Sequence, residues 1–72
     1  MDKEEILNKI GLKIRGLREE KQLTLQELSD KLNIEYNNLI RIEKGRNNCT
    51  IGTLLKISQI LDVKVVDLVD VE

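Results

Sequence analysis

Apolar residues recur along most of this chain at intervals of three and four with polar residues between them, the pattern of short amphipathic helices. Ile6, Ile10, Ile14 and Leu17 share one face and predict a first helix over about 3–20. Gly11 and Gly16 interrupt it. Each costs about 1 kcal/mol relative to alanine, which is tolerable where another backbone or a partner comes close. A second helix is predicted over 25–32: Thr24 and Glu27 form a capping box, Leu23 and Leu28 take the positions of a hydrophobic staple, and Leu32 continues the stripe. Asn33 ends it, because asparagine accepts the left-handed conformation that redirects the chain. A third helix over 36–44 turns Leu39 and Ile42 inward, with Ile34 packing ahead of it and Gly45 terminating it. A fourth, capped by Thr50, runs over 51–61 with Leu54, Ile57 and Leu61 on its inner face, up to Asp62. Val65, Val66, Leu68 and Val69 fit either a short fifth helix over 65–69 or an extended tail, since valine is a poor helix former and short helices are marginal alone.

Length and composition narrow the chemistry. Seventy-two residues are expected to form one domain, 1–72. Such a chain buries only about 60% of the surface it exposes when unfolded, so its core must come from well-patterned elements or from a partner subunit. With one cysteine, Cys49, and no histidine, neither an internal disulfide nor a zinc ligand set is expected. The chain also lacks a glycine-rich phosphate loop, so neither a cofactor nor catalysis is expected. No stretch approaches the roughly 18 to 20 apolar residues that span a bilayer, and Met1, Asp2, Lys3, Glu4 and Glu5 lack the layout of a signal peptide. A cytoplasmic protein without membrane contact is expected.

The net charge of −1 argues at first against nucleic acid, whose phosphates are bound mainly by lysine and arginine. The distribution changes that picture. Residues 1–8 hold three acidic side chains and one basic, and residues 57–72 hold four and one, which leaves ten basic against six acidic in residues 9–56. A basic face and an ordinary solvated surface both fit these charges.

A capped helix, a turn of about three residues and a second helix with a polar outer face make a helix-turn-helix outline, which DNA readers share with some interaction bundles. The residues go further. Ile10, Gly11, Ile14, Leu17 and Arg18; then Leu23, Thr24, Glu27 and Leu28; then Leu39, Arg41, Ile42, Glu43 and Gly45; and finally Thr53, Leu54, Leu55, Lys56 and Ile57 together resemble the phage-repressor-like (Cro and XRE type) helix-turn-helix family, from Ile10 to Val69. That resemblance implies an all-α, lambda-repressor-like bundle of five helices, DNA binding in transcription regulation, and a structural ion pair between Arg18 and Glu43.

Base reading is expected from the outer face of the third helix, through Tyr36, Asn37, Ile40 and Arg41. Arginine donates twice to guanine, asparagine bonds twice to adenine, and isoleucine or tyrosine rests against a thymine methyl. Phosphate contacts are expected from Gln26, Asn38, Lys44, Arg46, Asn47 and Asn48, which flank that helix. The chain departs from the family pattern in places. Leu25 stands where glutamine is frequent at the start of the second helix, with Gln26 one step later. Glu35 replaces a serine or threonine cap and brings a negative charge towards the DNA path, Cys49 replaces a frequent proline, and Lys64 replaces a small polar cap.

The partners expected are double-stranded DNA and a second copy of the chain, on a palindromic operator, with repression as the default role. An antitoxin or a restriction-modification controller fits the same residues. So does a protein-interaction module, to which the low charge, Glu35 and the apolar tail of Val63, Val65, Val66, Leu68, Val69 and Val71 point.

Overall fold

A computed structural model describes residues 2–70. It contains five helices, α1 Lys3–Glu20, α2 Leu25–Leu32, α3 Tyr36–Glu43, α4 Ile51–Leu61 and α5 Val65–Val69, and no strand among the described residues. The third helix ends one residue before the predicted limit, with Lys44 as its C-cap. Val71, the last residue of the apolar tail, lies outside the described residues.

Each helix start reflects local chemistry. Asp2 caps α1 by accepting from the Glu5 N–H at 2.9 Å. Thr24 and Glu27 close a reciprocal box on α2: Thr24 Oγ1 accepts from the Glu27 N–H at 3.0 Å and Glu27 Oε1 from the Thr24 N–H at 2.9 Å. Those two bonds, the backbone one first, hold the Glu27 carboxyl below its ordinary pKa. Thr50 caps α4 through the Thr53 N–H at 3.1 Å. Glu35 gives α3 no side-chain cap. Before α5, the Asp67 carboxylate accepts from the Lys64 N–H at 2.9 Å.

The helix ends are alike. Four residues take the left-handed conformation, Gln22, Asn33, Asp62 (φ 57–58°) and Gly45 (φ 73°). After each, the next N–H reaches the carbonyl five residues back: Leu23 to Arg18, Ile34 to Ser29, Arg46 to Arg41 and Val63 to Ser58, at 2.8–3.1 Å. This closure satisfies carbonyls that a helix end otherwise leaves open. Leu23, Ile34 and Val63 then pack against the core, whereas Arg46, after α3, is exposed.

The core is Ile14, Leu28, Leu32, Leu39, Ile42, Leu54, Ile57, Leu61 and Leu68, with Ile10, Leu17, Leu23, Leu25, Ile34, Cys49, Ile60 and Val63 partly buried around it. On α1 the most buried stripe is Gly11, Ile14 and Arg18; Ile6, Ile10 and Leu17 border it as half-buried residues. Leu68 is fully buried and anchors α5, which packs on α4 and α1. Two buried hydroxyls go unpredicted by hydrophobic spacing: Ser29 donates to the Gln26 carbonyl at 2.9 Å and Ser58 to that of Leu55 at 2.7 Å. Each satisfies itself inside its own helix.

Candidate nucleic-acid interface

Three contacts set α3 on the bundle. The first is close backbone approach: a Cβ at Gly11 would stand 2.6 Å from the Ile42 carbonyl oxygen and collide with that of Glu43. Only a glycine lets α1 cross the end of α3 at this distance. The second is an ion pair. Arg18 Nε donates to Glu43 Oε2 at 2.7 Å and Nη2 to Oε1 at 3.2 Å, a two-pronged contact between side chains only 10% and 6% exposed. Arg18 Nη1 also donates to the Leu23 carbonyl at 2.8 Å, joining the α1–α2 turn to α3. The hydrogen bond to Glu43 raises the Arg18 pKa against the desolvation that opposes it. The third is Gly45, where a Cβ would lie 2.6 Å from Asn8 Cα, so the turn after α3 rests directly on α1.

With Leu39, Ile42 and Glu43 buried, the opposite face of α3 is left to solvent. Tyr36, Asn37 and Arg41 are exposed there, and no side-chain hydrogen bond within the described residues engages Asn37 or Arg41. Ile40 is half-buried and lines a shallow groove with Leu25, Arg15, Arg18, Glu43 and Lys44. It belongs partly to the bundle and partly to the outer face.

The flanking residues divide into those that are free and those already engaged. Lys44, Arg46 and Asn48 are exposed after α3. Gln26 is exposed, but its Nε2 donates to Asp30 Oδ1 one turn along α2 at 2.9 Å. Asn38 and Asn47 bond to each other, Asn47 Nδ2 donating to Asn38 Oδ1 at 2.6 Å. Glu35 is exposed beside this face. Lys44 and Arg46 also share an open cleft with Asp2, Glu4 and Glu5 of the first turn of α1. Among the described residues the ion pairs are Arg15–Glu19 and Arg18–Glu43, so Lys44 and Arg46 keep their charges unpaired. Cys49 is half-buried, and burial pushes its thiol pKa up, away from the reactive thiolate.

Sequence spacing did not reveal the Asn38–Asn47 bond, because the two residues come together only when the loop after α3 doubles back along the helix. Nor did it place the acidic turn of α1 beside Lys44 and Arg46. A mixed-charge cleft between elements about forty residues apart has no periodic signal.

Residues 13–72 match the model of the Cro/C1-type HTH DNA-binding domain. An uncharacterized HTH-type transcriptional regulator of Sinorhizobium fredii, y4dJ, is 37% identical over 60 residues, covering 83% of this chain and 78% of that protein. The restriction-modification controller protein C.AhdI from Aeromonas hydrophila superposes with a TM-score of 0.82 at 27% identity, over 86% of this chain and 94% of that one. The clp gene regulator ClgR from Corynebacterium glutamicum superposes with a TM-score of 0.84 at 25% identity, over 88% and 67%. With the family model covering most of the residues, and the fold shared with the two solved regulators, the chain belongs to the family of Cro/C1-type helix-turn-helix DNA-binding domains.

Proposed function

We propose that this chain is one domain that reads specific sequences of double-stranded DNA as a cytoplasmic transcriptional regulator, with α3 in the major groove. The observation that carries the reading is the outer face of α3. Its exposed Tyr36, Asn37 and Arg41 project from a helix pinned by Gly11 and by the Arg18–Glu43 pair. A rigid helix with a free guanidinium and a free amide is suited to bidentate base recognition, each pair contributing about 1–3 kcal/mol of discrimination. Lys44, Arg46 and Asn48 supply the phosphate rim, with Gln26 once its bond to Asp30 is exchanged.

Two copies related by a two-fold axis would bring their reading helices to major grooves about one helical turn apart, which calls for a palindromic operator. Repression then follows from a bound dimer occluding the promoter. The likeness to C.AhdI favours a second reading, in which the regulated genes are those of a restriction-modification system; the DNA interface is the same in both.

The test is selection from random duplexes followed by sequencing, with Asn37→Ala and Arg41→Ala alongside and a salt series. A recovered palindrome whose base preferences relax at distinct positions in the two variants is the expected result. No enrichment at low salt by a folded protein would overturn the DNA reading in favour of a protein partner.

A further inference from the structure

We propose that Asn47 is a positioning residue, which holds the Asn38 side-chain amide so that its Nδ2 donates to a phosphate of the DNA backbone. The inference rests on the DNA-binding reading and gives Asn38 and Asn47 different tasks within it.

Asn38 occupies the third position of α3. At the same position in α2 and α5, Glu27 and Asp67 turn back to accept the N–H of the residue before the helix. Asn38 does not turn back. Its Oδ1 accepts from Asn47 Nδ2 at 2.6 Å in a partly buried contact. Its own Nδ2 makes no hydrogen bond within the described residues, and no buried side-chain polar atom there lacks a partner. The Nδ2 of Asn38 therefore faces solvent.

With its oxygen turned to Asn47 and both Nδ2 hydrogens unused, the Asn38 amide presents chiefly donors to solvent. Asn37, next to it, is exposed with both its oxygen and its nitrogen free, as two-point pairing with adenine requires. A group that presents chiefly donors fits an acceptor-only target, and on duplex DNA that target is the phosphate. Exposed Lys44 and Arg46 lie just before Asn47 in the chain, so the locked amide has basic neighbours already suited to the DNA backbone. Without Asn47 the Asn38 amide rotates freely and presents its oxygen to the phosphate as readily as its nitrogen.

The experiment is a double-mutant cycle on DNA affinity with Asn38→Ala, Asn47→Ala and both. It uses the duplex recovered by selection and a scrambled duplex of equal length, with thermal melts to verify folding. Asn38→Ala should weaken binding about fivefold on both duplexes. Asn47→Ala should weaken binding about twofold when Asn38 is present, the loss expected when half of the freely rotating amides present oxygen, and not at all when Asn38 is already alanine. Additive losses would make Asn47 a DNA contact in its own right and overturn the proposal, as would an Asn38→Ala loss seen on the selected duplex and absent on the scrambled one.

A second readout needs only labelled wild-type protein. By NMR, the Asn47 side-chain amide protons should be protected from exchange in the free protein, and those of Asn38 only after the duplex is added. Asn38 protons that stay unprotected in the complex would overturn the proposal. If the wild type binds neither duplex, the DNA reading falls and this inference with it, whereas protection in the free protein tests the amide lock alone.

Discussion

The molecule contains the same local unit twice, and the second helices of the two copies carry different outer faces. From Leu25 to Ile40 and from Leu54 to Val69 the chain runs through a helix, a three-residue turn and a second helix, at a constant offset of 29 residues. Ser29, Leu32, Asn33 and Ile34 correspond to Ser58, Leu61, Asp62 and Val63. Each set holds a buried serine, a buried leucine, a left-handed residue and an aliphatic that seals the turn. The second helices are anchored alike, by Leu39 and Leu68, both fully buried. The outer positions then part company, with Tyr36 and Asn37 against Val65 and Val66. Helix α3 is tied further by Gly11 and the Arg18–Glu43 pair, while α5 is a five-residue helix held mainly by Leu68. Turn chemistry sets how two helices meet; what the second one does is written in the side chains that the core leaves unused.

That comparison can be broken or sharpened by substitution. The largest effect is expected at the tie unique to α3. Arg18→Ala or Glu43→Ala leaves its partner charged and buried, and should cost about 3–5 kcal/mol in urea unfolding. A loss below 1 kcal/mol would show that α3 is held no differently from α5. Next, Leu68→Ala should cost about 2–5 kcal/mol through the cavity it leaves and should fray α5, seen as lost amide protection over 65–69. Protection that survives would mean that α5 has another anchor.

Smaller effects come from the turns. Neither Glu35 nor Lys64 caps its helix with a side chain, so Glu35→Ser and Lys64→Ser should each raise stability by about 0.5–1 kcal/mol in thermal unfolding. Unequal gains would show that the two turns differ in geometry as well as in outer side chains. The smallest effect concerns the capping box of α2, which α4 replaces with a single threonine cap. Because the folded pKa of Glu27 is depressed, its contribution is fully present above the ordinary glutamate value of about 4.3 and fades as pH falls through the folded value. The stability difference between wild type and Glu27→Ala should therefore shrink on acidification, and a difference constant with pH would remove the charge from the explanation.

Much of this was legible in the residues. The caps at Thr24 and Thr50, the breaks at Asn33 and Gly45 and the inward leucines and isoleucines are local or periodic signals. The turn at Gln22 was not, since glutamine rarely adopts a left-handed conformation and does so here because Leu23 must reach the core. Ile40, expected on the outer face, is half-buried instead, because it sits at the edge of the α3 stripe and lines a shallow groove with Leu25.

By itself, the sequence determined, to within a residue, where α1 to α4 begin and end, which faces they bury and that α3 carries a polar outer surface, because capping and amphipathic spacing act within a few residues. Only the tertiary structure decided that the tail becomes a helix, since its valines favour no helix alone and Leu68 needs α1 and α4 around it. Tertiary structure likewise decided that Gly11 meets the α3 carbonyls, that Asn47 takes the Asn38 oxygen, and that Lys44 and Arg46 stand beside an acidic turn. Those contacts join residues distant in the chain, and their distances exist only once the core has closed.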